Sequence, residues 1–515
     1  MGVLELFDRG ADGYPNRTCL LQGETRRTYG EVAAVTHRVA GALHHAGIGA
    51  GQKVAVYSPN CIAAYEAMLG IYRAGAVFVP ANAKAHVAEN IYILNQCETR
   101  ALLYHSSLAD EVAAIRLECA SIHVWVCLDR PEGSASAFDA WAAAAHGPQS
   151  IARVSRDTVV SIYSTGGTTG RPKGVMFTSL TWDVVAANFL SALDCPDHPV
   201  FLLAAPMTHG AGTCSIAVLP RGATVVILDH FDAGEVLAAI EHHGVTHLFL
   251  PPTAIYMLLE HPNLRAHDYR SLVGFIYAGA PMSVDKLKTA LEVFGPVMMQ
   301  CYGQTEAPMF CTALTPAEHV ASIRGSGARL ASCGRPLLST RVEIMNDQGE
   351  LVPRHTRGEI VVQGDLVMAG YYNNPQATAE VSKFGWHHTG DVGMKDEEGY
   401  VYIVDRLKDM IITGGFNVYP TEVEQVLWSH PSVLECAVIG VPDEKWGEAV
   451  KAVIELRRGT RVSPEEIIAY CKARIGSIKS PKSVEIWETL PRTPVGKVSK
   501  KDIRERYWRN FGRSI

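Results

Sequence analysis

The chain has 515 residues, 47% of them hydrophobic and 19% charged, which are globular values at a length for roughly two to four packed units. Such a composition excludes a disordered, collagen-like or small disulfide-stapled protein. The formal charge of −6 argues against a dedicated nucleic-acid binder, which would need a basic face.

The N-terminus, Met1-Gly2-Val3-Leu4-Glu5-Leu6-Phe7, is amphipathic and lacks a basic region followed by an apolar run, so no signal peptide is expected. The longer apolar stretches, at residues 214–220 and 224–228, fall far short of the ~18 residues of a membrane span. The expectation is a cytoplasmic monomer or homodimer with no nucleic-acid partner and no integral membrane segment. Twelve cysteines without a CxxC pair read as reduced thiols, and twenty histidines without HExxH do not suggest a zinc hydrolase.

Residues 53–58 read as a strand, 61–73 as a helix with Ala64, Met68, Leu69 and Tyr72 on one face, and 76–80 as the next strand. The same rhythm returns at 200–205, 224–228, 246–250 and 271–278, which predicts parallel sheet with helices on its faces. Past about residue 335 the texture changes. Residues 342–345 and 358–362 flank the turn Asn346-Asp347-Gln348-Gly349 and read as small antiparallel strands. The last hundred residues alternate again: helix 419–429 entered through Pro420, strands 436–441 and 448–456, and helix 464–474 opened by Pro464. The charged run Asp405-Arg406-Leu407-Lys408-Asp409 lies between the two textures and marks a domain boundary.

The sharpest local feature is Ser164-Thr165-Gly166-Gly167-Thr168-Thr169-Gly170-Arg171-Pro172-Lys173-Gly174, directly after the apolar strand 159–163. Three glycines allow backbone N–H groups to approach an anion, and hydroxyls and a lysine add donors, which suits a phosphate chain. It is not a Walker A loop, because no Gly-Lys-Ser/Thr follows at the required spacing.

This loop fits the phosphate-loop signature of the adenylate-forming superfamily, which includes acyl-CoA synthetases, luciferases and peptide-synthetase adenylation domains. Further segments resemble that family's motifs and occur in its order: Gly279-Ala280-Pro281-Met282, Tyr302-Gly303-Gln304-Thr305-Glu306, Thr389-Gly390-Asp391, the run from Asp405 to Ile411, Gly414-Gly415-Phe416-Asn417, and Pro491 to Lys497. The resemblance spans residues 5 to 507. It implies an α/β fold: a large N-terminal domain of αβ-layered subdomains with a small β-barrel-like part (residues 1–405), a hinge (406–408), and a small mobile α+β C-terminal domain (409–515).

The resemblance also implies ATP, Mg2+ and coenzyme A as the small molecules handled. Thr165, Gly166, Gly167, Thr168, Thr169, Gly170 and Lys173 would surround the phosphates; Gly279, Ala280, Pro281, Gln300, Tyr302 and Gly303 would flank the nucleotide. Glu306 would hold Mg2+ with Thr305 beside it, and hard oxygen ligands suit that ion. Asp391 would accept the ribose hydroxyls, the plainer alternative being a cap on the turn before Gly393. Arg406 would lie near ribose or phosphate, the alternative being a surface ion pair with Asp405 or Asp409. Lys497, otherwise one lysine of a basic run with Lys500 and Lys501, would bridge carboxylate and α-phosphate as charge develops. His209 would stand beside the reacting carboxylate. Rotation about Lys408 would then withdraw Lys497 and bring Gly414, Gly415 and Phe416 to line a thiol tunnel.

The chain departs from the family pattern in three places: Thr208 where an aromatic residue is common, Gly166 where serine is common and Ser164 where tyrosine is common. No carrier domain with a pantetheine-bearing serine follows Lys497, which favours a diffusible thiol. The family analogy places an acid pocket around His209, Gly210, Ala211, Tyr256, Tyr277, Ala278 and Pro308. Apart from His209 this region has no basic residue, so a second carboxylate would be left unpaired at a large desolvation cost. The expected substrate is therefore a hydrophobic acid, fatty, cyclic or aryl. The expected activity is acid–thiol ligation, the alternatives being a stand-alone enzyme loading a separate carrier protein or a non-catalytic nucleotide-binding relative. The net charge conceals a basic tail, since lysines and arginines outnumber acids between Lys472 and Arg513.

Overall fold

The computed structural model describes residues 2–133, 135–144, 154–165, 172–443, 445–493 and 497–509. Among these residues four sheets are formed. Helix Ile62–Arg73 joins the parallel strands Lys53–Tyr57 and Val77–Ala81, the β–α–β unit expected from the sequence. Strands such as Val77–Ala81, Ala101–Tyr104 and His247–Leu250 are buried along their whole length, as parallel strands covered by helices on both faces must be.

Two large sheets carry this pattern. One runs, in spatial order, through Arg335–Pro336, Thr312–Leu314, Met298–Tyr302, Gly274–Tyr277, His247–Leu250, Val200–Leu203, Thr224–Ile227, Thr18–Gln22 and Thr25–Thr28. Its middle strands are parallel and its edge pairs antiparallel. The other runs from Gly370–Tyr371 through Gly174–Thr178, Val159–Ser164, Val77–Ala81, Lys53–Tyr57 and Ala101–Tyr104 to Val124–Cys127 and Ser136–Ala137. One continuous apolar core, including Trp182, Phe201, Phe275 and Tyr65, spans both sheets. The barrel-like part is an antiparallel sheet in which Arg341–Met345, Gly358–Gln363 and Trp386–Lys395 pair in sequence and Val401–Arg406 flanks the last of them.

The C-terminal sheet shows period-two packing on both faces. Along Val433–Asp443, Cys436 and Val438 face the helices Pro420–Trp428 and Pro464–Lys479, while Ala437 and Ile439 face helix Lys500–Trp508 through Ile503. This strand is longer than residues 436–441. Its hairpin partner Gly447–Leu456 pairs the backbone out to Asp443, past the point where apolar side chains end. The helix expected at 464–474 extends to Lys479 across a break at Gly476, whose φ of 75° no regular helix tolerates. The strand expected at 271–278 shrinks to Gly274–Tyr277. Among the described residues, no helix is long and apolar enough to cross a membrane, and all twelve cysteines are free.

Candidate active site

Parallel strands deliver their C-terminal ends to one place, and loops beyond those ends form a cleft of about 1570 Å³. Strand Val159–Ser164 leads to Thr165, Val200–Leu203 to His209, Gly274–Tyr277 to Gly279, and Met298–Tyr302 to Glu306. Thr165, Lys173, Gly279, Ala280, Pro281, Gln300, Tyr302, Gly303, Thr305, Glu306, Asp391 and Arg406 all line the cleft, as do His209, Tyr256 and Lys497. Gly166, Gly167, Thr168, Thr169 and Gly170 lie outside the described residues.

One wall is a polar network around Asp391. This residue sits inside strand Trp386–Lys395 and is almost completely buried. Its Oδ2 accepts from the Tyr302 hydroxyl at 2.7 Å and from Gln304 Nε2 at 2.8 Å; Gln304 also donates to the Thr389 carbonyl at 2.7 Å. Burial, then the Asp391 charge, raises the Tyr302 pKa well above its ordinary value, so the phenol stays a donor. Asp391 pairs with Arg406 across the antiparallel ladder, and Arg406 Nε lies 3.3 Å from Asp391 Oδ1. Two of the alternatives raised from the sequence fall here. Asp391 is a ladder residue and not a turn cap, and the Arg406 guanidinium turns to Asp391 and not to Asp405 or Asp409.

On the phosphate side, the antiparallel strands Val159–Ser164 and Gly174–Thr178 form the two arms of the glycine-rich loop, closed by the Thr165 N–H donating to the Lys173 carbonyl at 3.0 Å and by the Lys173 N–H donating to Thr165 Oγ1 at 3.0 Å. Lys173 Nζ stands 4.7 Å from the centre of the Tyr371 ring. The Tyr371 hydroxyl donates to Glu306 Oε1 at 2.7 Å, and the other Glu306 oxygen has no partner among the described residues. The turn before Glu306 folds tightly on itself. A Cβ at Gly303 would lie 2.5 Å from the Met309 nitrogen and 2.7 Å from the Ala307 oxygen, so only glycine fits.

Lys497 enters from the C-terminal domain. Its backbone is tied to Thr493, with the Thr493 N–H donating to the Lys497 carbonyl at 2.7 Å and the Lys497 N–H donating to Thr493 Oγ1 at 3.2 Å. Its side chain lies against Gly279, where an added Cβ would come within 3.5 Å of Cε and 3.8 Å of Nζ; Gly279 also has φ +88°, open to glycine and few others. Burial, then the Arg406 charge, pushes the Lys497 pKa down to about 8, with Asp391 opposing. Burial and then the Lys497 charge push His209 down to about 4, so its imidazole is neutral near pH 7. The Thr208 hydroxyl lies 3.0 Å from His209 Nδ1. The position where an aromatic residue was expected thus orients the histidine by a hydrogen bond.

The residues of the expected acid pocket divide in this structure. His209 and Tyr256 line the cleft, whereas Gly210, Ala211, Tyr277, Ala278 and Pro308 do not. Tyr277 is fully buried behind the wall; its hydroxyl reaches Gln300 Oε1 at 3.2 Å and His319 Nε2 at 2.9 Å. A strand buried on both faces gives no alternation to tell which residue points to the cleft. Gly210 is backed by Met309, whose Sδ would lie 2.8 Å from an added Cβ. Gly414, Gly415 and Phe416 belong to the hairpin Ile411–Thr413/Phe416–Val418, with Phe416 56% exposed, and none of them lines the cleft. Lys408 lies in the short turn Leu407–Asp409.

Several residues that position the site were not singled out from the sequence. Asn60 Oδ1 accepts from the Met207 N–H at 2.8 Å, and its Nδ2 donates to the carbonyls of Ala205 and Leu228 at 3.0 Å, fixing the turn that carries His209. Tyr371 holds Glu306, and Gln304 holds Asp391. Only Gln304 had a sequence signal, its place inside the Tyr302–Glu306 motif.

Comparison with known proteins agrees with this geometry. Residues 7–372 match the model of the AMP-binding enzyme family, and residues 422–497 match that of the AMP-binding enzyme C-terminal domain. The chain is 39% identical over 497 residues to a feruloyl-CoA synthase of Amycolatopsis sp, covering 96% of each chain. It is 36% identical over 520 residues to a medium/long-chain fatty acid–CoA ligase of Mycobacterium tuberculosis, covering 98% of this chain and 89% of that one. The solved structure of the amide bond synthetase McbA from Marinactinospora thermotolerans superposes with a TM-score of 0.89 at 32% identity, covering 98% of this chain and 100% of that one. With both domain models matched in order and relatives similar along nearly the whole length, the chain belongs to the AMP-binding enzyme family.

Proposed function

We propose that the protein is an ATP-dependent carboxylate–CoA ligase acting on a hydrophobic acid, fatty, cyclic or aryl. The observation that carries this reading is the convergence of Lys497, Arg406, Asp391 and Glu306 on one cleft beside a neutral His209. The similarity to a feruloyl-CoA synthase and a fatty acid–CoA ligase supports both the reaction class and an apolar acid.

A carboxylate is a poor electrophile until it carries a better leaving group. In the first step its oxygen attacks the α-phosphorus of ATP, the bond from that phosphorus to the pyrophosphate oxygen breaks, and acyl-AMP and pyrophosphate result. Two anions must meet, so fixed positive charge at the point of contact lowers the barrier. Lys497 supplies it in this reading, bridging the carboxylate and α-phosphate. Asp391 and Arg406 take the ribose side, with Tyr302 and Gln304 holding the carboxylate in place. Thr165, Lys173 and the glycine-rich loop take the phosphates. His209, uncharged, shapes the acid site without adding an ion pair.

Among the described residues no three His, Cys, Asp or Glu side chains converge as a metal cage. Glu306, with one oxygen not engaged by Tyr371, fits a divalent ion that borrows its other ligands from phosphates and water, as Mg2+ does. Such an ion supplies charge screening between the phosphates and the incoming carboxylate. In the second step the sulfur of CoA attacks the acyl carbon, AMP leaves with the bonding electrons, and the thiol proton passes to solvent. This step requires the domain of residues 409–515 to turn about the hinge 406–408, because Gly414, Gly415 and Phe416 lie outside the cleft while Lys497 occupies it.

The test is a pyrophosphate-release screen of aryl, cyclic and fatty acids at saturating magnesium, with CoA, with an amine, or with no acceptor. ATP-dependent pyrophosphate with at least one hydrophobic acid, and turnover increased by CoA, is expected. No release with any acid would reject the reading. Turnover raised by the amine and not by CoA would replace ligation to a thiol by amide formation, as the similarity to an amide bond synthetase allows.

A further inference from the structure

Helix Lys500–Trp508 begins three residues after Lys497, and its first turn meets an unusual concentration of charge. Lys500 Nζ lies 2.8 Å from Glu424 Oε1. Arg504, one turn further along the same face, donates to Asp409 Oδ1 at 3.0 Å. Glu424 is buried on helix Pro420–Trp428 and also accepts the Val438 N–H at 2.7 Å. Asp405, buried at the end of strand Val401–Arg406, accepts the Thr421 N–H at 2.8 Å with one oxygen and the Arg406 N–H at 2.7 Å with the other. Burial works against the Lys500 charge, yet the carboxylates of Glu424, Asp405 and Asp409 hold its pKa above the ordinary lysine value.

Packing does not need these charges. The apolar side of the helix already docks Ile503 against Ala437, Ile439 and Val453. A buried ion pair is poor evidence of stabilisation, because apolar residues of similar volume often serve as well; its best-attested use is to select one arrangement over others. Here the arrangement selected is the position of the helix start along the linker. Asp405 and Asp409 flank the residues between the two domains; Arg504 pairs with Asp409, while Lys500, paired with Glu424, feels the charges of both. Through the neighbouring Arg406 the same linker reaches Asp391 on the cleft wall.

We propose that Lys500 is a positioning residue for Lys497: bound to Glu424 and set among the linker carboxylates, it fixes the start of the helix so that Lys497 lies against Gly279 in the cleft. The inference rests on the reading of Lys497 as the group that bridges carboxylate and phosphate. Lys500 lines the same cleft, but its Nζ is engaged by Glu424. The plainer role, neutralising Glu424 so that the small domain folds, would leave the two half-reactions equally affected by its loss.

The experiment uses the full chain with Lys500→Met, Lys500→Arg, Asp405→Asn (which removes the charge and one of the two acceptors) and the double variant Glu424→Met/Lys500→Met. Adenylate formation, thioester formation from supplied acyl-adenylate, thermal midpoint and hydrogen exchange over residues 497–509 are measured for each. Lys500→Met is expected to slow adenylate formation about 10²-fold, the scale of a misplaced reacting group, with thioester formation within about threefold of the parent. Lys500→Arg recovers most of the loss, Asp405→Asn falls between, and the apolar double variant, which removes the unpaired Glu424 charge but leaves the Val438 N–H without its acceptor, is more stable than Lys500→Met but stays slow. Equal loss in both half-reactions, no rescue by arginine, or full adenylation in the double variant would overturn the proposal. Should the parent protein form no adenylate with any acid, the proposed function fails instead. The positioning role is then decided by exchange over residues 497–509, faster in Lys500→Met if it holds and unchanged if it does not.

Discussion

The two sides of the cleft are held by different means. The N-terminal side hangs from the ends of parallel strands and is cross-bonded by short contacts between buried and half-buried groups: Tyr302 and Gln304 to Asp391, Asn60 to the His209 turn, Tyr371 to Glu306. The C-terminal side lines the cleft with residues of helices Pro420–Trp428 and Lys500–Trp508 as well as with Lys497, and its contacts with the large domain include partly exposed ion pairs. Arg457 meets Glu260 at 2.6 Å, with Lys286 on the other flank at 3.0 Å, and Arg357 meets Glu422 at 2.5 Å. Buried hydrogen-bonded groups are costly to separate, whereas partly exposed pairs contribute about 1 kcal/mol or less each. In the reading proposed above, the nucleotide side is therefore the more firmly bonded of the two, and the wall that carries Lys497 is held by weaker contacts. This suits a catalytic group that must be present for one step and absent for the next.

The contrast is broken most severely by removing the lysine itself. Lys497→Ala should lower adenylate formation by about 10²–10³-fold while thioester formation from supplied acyl-adenylate stays near the parent rate. Equal loss in both half-reactions would show that the two walls do not divide the chemistry.

A medium effect joins the two walls electrostatically. Burial and the Arg406 charge place the Lys497 pKa at about 8. The protonated lysine is the active form, so kcat/KM for adenylate formation should be level below that pH and fall about tenfold per pH unit above it. Arg406→Gln removes a repulsion felt by the charged lysine, so the alkaline limb should move to higher pH even as ATP binding weakens. A limb that stays fixed or moves to lower pH would mean that Arg406 and Lys497 do not interact across the cleft.

The smallest effect is expected at the domain boundary. Glu260→Gln removes the charge shared by Arg457 and Lys286, and adenylate formation should fall by less than about fivefold. That difference should shrink as salt is added, since exposed charges are screened. A loss as large as that of Lys497→Ala, or one insensitive to salt, would show that the orientation of the small domain depends on this contact far more than its exposure suggests.

Much of the site was legible because its chemistry demands particular residue types at short spacing. A loop that must approach phosphates needs glycines between two strand arms, and Val159–Ser164 and Gly174–Thr178 supply those arms as the apolar run before residue 164 implied. The alternatives left open for Asp391 and Arg406 were a matter of partner, not of type. Asp391 meets Tyr302 across 89 residues and Tyr371 meets Glu306 across 65, and no local pattern encodes such pairings. Tyr277 illustrates a related point: on a strand covered on both sides, apolar character is uniform and carries no sign of which face lines the cleft.

By itself the sequence determined the αβ layering, which follows from apolar periodicity, and the family, which follows from its resemblance to that family's motifs in their order. Tertiary structure alone decided which oxygen each donor meets, that Thr208 orients His209, that the glycine pair at 414–415 lies outside the cleft, and that Lys500 sits among Glu424, Asp405 and Asp409. Those facts depend on strand register and helix docking, which bring together groups far apart in the chain; the free energy that selects them lies in burial and in partners no local window contains.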